Sequence, residues 1–192
     1  MRLHIALVHY PVLDRKGQRV TTSVTNLDIH DFVRIALTFD VEKAFMVTPI
    51  TQQREMIQYV KDAWIGREES SEKKIRSRAF TRLEAVPSIE AVQDDILKRT
   101  GCAPFTITTS ATKAEGTLSF AEAQPKISSQ ITPSLLLFGT GWGLTPEVHQ
   151  AADARLEPIR AHATYNHLPV RAAIAMILDR LVPEPSPANL AG

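Results

Sequence analysis

Three glycines at alternate positions, Gly139, Gly141 and Gly143, follow directly on the apolar run Leu135-Leu136-Leu137-Phe138. Such a run reads as a buried strand. The glycines free the backbone after it for positive φ and for close approach to a ligand. Further along, Tyr165, Asn166 and His167 form a polar segment ahead of a helix with Pro169 near its first turn, where proline fits. A glycine loop and a polar loop, each at the carboxyl end of a strand, are the parts from which an open α/β sheet builds a small-molecule site. Trp142, inside the glycine loop, either stacks on something flat or covers the loop as a packing residue.

The spacing separates cofactor classes. A Rossmann dinucleotide site has G-x-G-x-x-G in the first strand-to-helix turn and an acid about 20 residues on. Here the pattern is G-x-G-x-G, and about 50 residues follow it. A phosphate-cradling P-loop needs a lysine after its glycines, and none stands here. The plain alternative is a loop that only turns the chain.

Other chemistries find less support. The six histidines and single Cys102 show no zinc-ligand spacing, so no metal is expected. His4 and His9 fall in or near a strand, and His162 and His167 lie five apart in a loop. Only His30 and His167 are placed near a ligand. Cys102 lacks a nucleophile's partner, and Ser110 and Ser134 lack a G-x-S-x-G setting. A second polar group, Asp28, His30, Asp31 and Arg34, gathers near the start of the first helix. Asp31 and Arg34 are three apart and His30 and Arg34 four apart, so each pair shares a face. Helix capping and dipole stabilisation, about 0.5–2 kcal/mol, are the plain alternative for the two acids.

These groups need elements to hold them. Residues 3–9 read as a strand, followed by a polar loop with Asp14, Lys16 and Gly17. Asn26 or Asp28 caps a helix carrying Ile29, Phe32, Val33, Ala36 and Leu37 on one face. A strand at 43–47, a helix at 49–64 and a strand at 79–86 come next. A helix then begins at Ser88, carries Ala91, Val92 and Ile96, and stops at Gly101 before a strand at 105–109. Residues 116–130 read as a short helix broken near Pro125, and elements at 135–138, 145–152, 156–160 and 169–181 complete the alternation. Alternating strands and helices imply a single α/β domain with a mainly parallel sheet covered on both faces.

Composition bounds the rest. A chain of 192 residues can bury most of its apolar surface without disulfides. One cysteine excludes an internal disulfide framework and suits a reducing compartment. The apolar run at the start is too short for a membrane span and is interrupted by His4 and His9, so no membrane partner and a cytoplasmic setting are expected. A net charge of +1 argues against coating nucleic acid by charge alone. Residues 66–82 nevertheless hold six basic against three acidic side chains, from Arg67 to Arg82. Such a patch can hold a few phosphates, or be a solvated face.

The segments FGTGWGL and YNHLPVRAAIAMILDRL together resemble the last two motifs of the SPOUT, or α/β-knot, RNA methyltransferases. There a strand ending in a loop of the type FGxExxGL precedes a second loop and a helix that begins near an Asn. TNLDIHDFVRIALTFDVEKAFMVTP is similar to the opening helix and second strand of a bacterial group of such S-adenosylmethionine (SAM)-dependent enzymes. One departure is plain: Thr140 or Trp142 replaces the loop's acid.

The resemblance implies a knotted methyltransferase domain over residues 1–183, a C-terminal trefoil knot, and a frayed Pro-rich tail at 184–192. It implies methylation of a base or ribose of tRNA or rRNA, and a homodimer paired through the last helix. A knotted domain that binds SAM or RNA without catalysing is the alternative. SAM would be held by the backbone of Gly139, Thr140, Gly141, Trp142, Gly143 and Leu144, with Tyr165, Asn166, His167 and Leu168 and the strand end Thr109, Ser110 and Ala111 enclosing the adenine. One SPOUT branch carries an Asn six residues before an Arg; Asp28 and Arg34 match those positions here. The resemblance thus makes Arg34, Asp28 and His30 candidate catalytic residues, with the arginine orienting phosphate or base and Asp28 or His30 taking a proton.

Overall fold

The computed structural model describes residues 2–65, 71–160 and 165–184. Six strands form one sheet in the order β5-β4-β1-β7-β6-β8, and every neighbouring pair is parallel. They are β1 (Leu3–Val8), β4 (Lys43–Val47), β5 (Leu83–Val86), β6 (Phe105–Thr108), β7 (Ser134–Gly139) and β8 (Ala154–Arg155). A separate hairpin, β2 (Val12–Leu13) with β3 (Arg19–Val20), follows β1. The central strands β1 and β7 are mostly apolar, with His4 and Ser134 buried among them, because both faces are covered.

Side chains alternate across the sheet. Leu3, Ile5, Leu7, Leu136 and Phe138 pack with α1 (Asn26–Thr38), α2 (Thr51–Ile65), α3 (Ser71–Phe80), α5 (Phe120–Ile127) and α7 (Val170–Leu181). Ala6, Val8, Leu135 and Leu137 pack on the other face with Val92 and Ile96 of α4 (Ile89–Thr100) and with Val148 of α6 (Pro146–Ala151). Strand register aligns three strand ends. Leu3 pairs with Ser134 and Val8 with Gly139, while Thr108 pairs with Leu137. The carboxyl ends of β1, β7 and β6 therefore lie side by side.

Several expectations shift. Thr25, not Asn26 or Asp28, caps α1, and Asp28 closes the capping box from the third helical position. Residues 79–86 divide into the end of α3 and β5, because Ala79 and Phe80 pack as the buried face of a helix. Pro125 does not break α5; it sits exposed in the helix interior while Ala123 and Ile127 are buried. The element at 156–160 is replaced by the two-residue β8 and one bridge between Leu118 and Leu156. Of the basic segment, residues 66–70 lie outside the described residues, and Arg82 is bound to Asp40 and to the Val41 carbonyl. The tail beyond 184 and His162 also lie outside them.

Candidate functional site

The chain leaves β7 and folds back on itself at once. Thr140 donates to the Val8 carbonyl from its backbone N–H and from its hydroxyl, both at 3.1 Å. The Gly143 N–H closes the turn on the Thr140 carbonyl at 3.0 Å. A Cβ on Gly139 would lie 2.6 Å from the Leu144 nitrogen, so only glycine permits this return. The hairpin braces the loop: Trp142 N–H donates to the Leu13 carbonyl, and Leu13 N–H to the Gly143 carbonyl, each at 2.9 Å. Gly141 has φ +58°, and a Cβ there would meet the Leu13 carbonyl at 2.8 Å. The second loop is fastened at its own end, where Asn166 Nδ2 donates to the Ala111 carbonyl at 2.8 Å.

Between the two loops lies a cavity of about 620 Å³, within the usual range for small-molecule sites. Of the expected residues, Thr109, Ser110 and Ala111 line it from the end of β6. Gly139, Thr140, Gly141, Trp142 and Gly143 line it from the glycine loop, and Asn166, His167 and Leu168 from the polar loop. Asp28 reaches it from α1. Four expected residues stand elsewhere. Leu144 is buried in the core cluster with Val12. Tyr165 is 77% exposed, beside His167. His30 packs edge-on against Trp64 and Phe80, with ring centroids 5.4 and 5.3 Å away. Arg34 is exposed and lies 3.9 Å from Asp31.

Sequence reasoning did not place His9, Thr22 or Ser23 in this wall. His9 had a signal, since it follows the last residue of a central strand whose carboxyl end faces the site. Thr22 and Ser23 had none, because only the hairpin carries them there. His9 is 1% exposed, and its Nδ1 lies 3.0 Å from the Thr22 hydroxyl, which is 2.5 Å from the Thr140 hydroxyl. Thr140 donates to Val8, so it accepts from Thr22, and Thr22 in turn accepts from His9 Nδ1–H. Burial pushes the His9 pKa down to about 4, against the opposing pull of Asp28. The imidazole is therefore neutral near pH 7, and its Nε2 is buried without a hydrogen-bond partner among the described residues.

Asp28 is the one formally charged side chain in the described wall. One carboxylate oxygen accepts from the Thr25 N–H (3.0 Å) and hydroxyl (2.6 Å). The other lies 3.8 Å from Arg171 of α7, whose Nε is 3.4 Å from Asp31. A wall of glycine backbone, hydroxyls and apolar side chains such as Ile159, Val170 and Ala173, with one acid and no lysine or arginine, suits a cationic ligand. It does not suit a pyrophosphate. SAM, with a sulfonium, an adenosine and an amino-acid end, fits that charge. At Gly143 the loop is open, with nothing within 4 Å of where a Cβ would stand.

A parallel sheet whose last loops close over adjacent strand ends is a fold shared with solved SpoU methyltransferases. The structure matches the SpoU methyltransferase AviRb from Streptomyces viridochromogenes in complex with AdoMet, with a TM-score of 0.54. That match covers 98% of this chain and 58% of the other at 16% identity, so it concerns the fold. Residues 2–183 match the SAM-dependent RNA methyltransferase family, and the chain belongs to it. SAM is the cofactor of that family. A protein of Nitratidesulfovibrio vulgaris named tRNA (guanine-N(1)-)-methyltransferase is 40% identical over 180 residues, 94% of this chain. The chain spans only 42% of that relative's length. An uncharacterized Aquifex aeolicus protein is 34% identical over 177 residues, covering 92% of this chain and 86% of that one.

Proposed function

We propose that the cavity between residues 139–144 and 165–168 holds SAM, and that the chain methylates a nucleotide of tRNA there. The observation that carries this reading is the meeting of the two loops over the ends of β7 and β6, around a wall whose one charge among the described residues is an acid. SAM supplies an electrophilic methyl group; the rest falls to the protein. The glycine loop offers backbone at close range because the hairpin holds it at a fixed height above β1. The hydroxyls of Thr109 and Ser110 and the Asn166 amide line the cavity and would meet a nucleoside's polar edges. His9 Nε2 is an acceptor already oriented by Thr22. Holding donor and acceptor in line lowers the barrier by roughly 7–11 kcal/mol.

At the reacting end, Asp28 is the expected group that the fold brings to the cavity, with Arg171 steadying it. In this reading Arg34, exposed on the surface of α1, contacts a phosphate of the RNA, and His30 stays in its aromatic packing. A C-terminal trefoil knot belongs to the same reading, and the domain would extend over 1–183. A homodimer would place α7 of each chain at the interface. The tRNA assignment is supported by the name of the N. vulgaris relative. Thr140 or Trp142 in place of the loop's acid supports a second reading, a domain that binds SAM or RNA without transfer. Calorimetry with SAM and transfer of labelled methyl groups to bulk tRNA test both. Binding with transfer supports the enzyme, binding without transfer the second reading, and no binding removes the site.

A further inference from the structure

We propose that Trp142, His167 and Tyr165 form a stacking platform for an unpaired RNA base at the mouth of the cofactor cavity. The platform rests on the methyltransferase reading and names the form of RNA that this site takes. The three rings come from the two loops that build the cavity. Trp142 and His167 have centroids 5.6 Å apart at 57°, and Tyr165 and His167 are 5.3 Å apart at 67°. Tilted packing of this kind joins the rings by their edges and leaves ring faces open. Trp142 is 57% exposed and Tyr165 77%. Large aromatic surface left in water beside a binding cavity is a feature of recognition sites.

The charges around the mouth select the partner. Inside, the one formal charge among the described residues is Asp28. Outside, Arg15 and Lys16 are exposed in the turn of the hairpin whose Leu13 braces Trp142. Lys113 and Arg160 directly follow the wall residues Thr112 and Ile159 and are exposed too. Among the described residues none of these four cations has an ion-pair partner. Open aromatic faces flanked by free cations suit a nucleic-acid strand with an accessible base. A continuous duplex hides its base faces in the stack, and A-form RNA shows side chains only its groove edges. The platform therefore takes a base from a loop or bulge, or one turned out of the helix.

The chain has two tryptophans, so Trp64→Phe, which keeps an aromatic ring against Phe80, leaves Trp142 as the reporter. This protein is titrated, with and without SAM, with an RNA hairpin bearing an unpaired loop and with a blunt duplex of matched length. The hairpin should quench Trp142 fluorescence and the duplex should not. Trp142→Ala and Tyr165→Ala should each weaken hairpin binding roughly 5- to 150-fold, and Trp142→Phe should retain most of it. Equal quenching by the duplex overturns the platform, as do alanine variants that bind the hairpin normally. So does a loss confined to SAM affinity, which would assign the rings to the cofactor. A parent that fails to bind SAM would sink the methyltransferase reading, while the titration without SAM still decides the platform.

Discussion

Replacing Gly141 tests the cofactor site most directly, because the structure gives the size of the insult. Its φ of +58° costs an L-residue about 1–2 kcal/mol. A Cβ would also stand 2.8 Å from the Leu13 carbonyl, backbone that cannot step aside alone, and 3.3 Å from Thr22 Cγ2. Relieving the contact pulls Leu13 from the Trp142 N–H, a bond worth about 0.5–1.5 kcal/mol. The total, about 1.5–3.5 kcal/mol, is less than the ~5–15 kcal/mol stability of a typical domain. Gly141→Ala and Gly141→Val should therefore stay folded with a displaced loop, and Gly141→Val should lose SAM binding. Gly17→Ala is the control: φ is +75°, yet nothing lies within 4 Å of the new Cβ. It carries the same backbone strain and leaves the site alone. Calorimetric titration with SAM, alongside urea unfolding of each variant, reads both quantities. Normal SAM binding by a folded Gly141→Val protein would refute the placement of the cofactor.

Asp28→Asn should weaken SAM binding by removing the wall's charge and should cost about 0.5–2 kcal/mol of stability through the capping box; unchanged affinity would show that Asp28 only caps. Burial holds His4, His9 and His149 near a pKa of about 4, whereas an unfolded histidine takes up a proton near 6.5. The unfolded chain thus binds more protons between those values, so stability is fully present above about pH 6.5 and falls as pH drops towards 4. Each histidine contributes up to about 1.4 kcal/mol per pH unit, and a urea midpoint that is flat from pH 7 to 5 would contradict their burial. Arg34→Ala should leave SAM affinity and stability near the parent, since its contact with Asp31 is a surface pair worth about 0–1 kcal/mol, while weakening RNA binding. Light scattering at micromolar concentration should give twice the chain mass; a monomer in the presence of SAM would rule out the pairing through α7.

What the sequence made legible was governed by local pattern. Leu135 to Phe138 announced a doubly covered strand by being apolar without interruption, and the glycines after it announced a tight return. Helices with a regular apolar face, such as Ile29, Phe32, Val33 and Ala36, were equally plain. Residues whose role depends on distant neighbours were not. Ala79 and Phe80 look like strand residues until α1 and Trp64 are there to bury them on a helix. Thr22 and Ser23 enter the cavity only because the hairpin between them and β1 lies against the glycine loop. Arg34 shares a face with Asp31 by spacing alone, but which way that face turns is set by α7, where Arg171 takes the place beside Asp28.

The pairing of β1 with β7 has a consequence for how the protein is made. Leu3 waits for Ser134, so the middle of the sheet joins segments that are 131 positions apart. Contacts of such long range slow folding, because the intervening chain must be ordered first. During synthesis at about 5–20 residues per second, β1 emerges roughly 7 to 26 s before its partner. For that interval an apolar strand has one edge open, guarded only by β4 on its other side. Chaperone capture during translation, or a pause ahead of residue 134, therefore acts on β1 more than on any other strand. Strand β1 also ends at Val8, whose carbonyl anchors Thr140, so the cofactor cradle is among the last parts of the nascent chain to take shape.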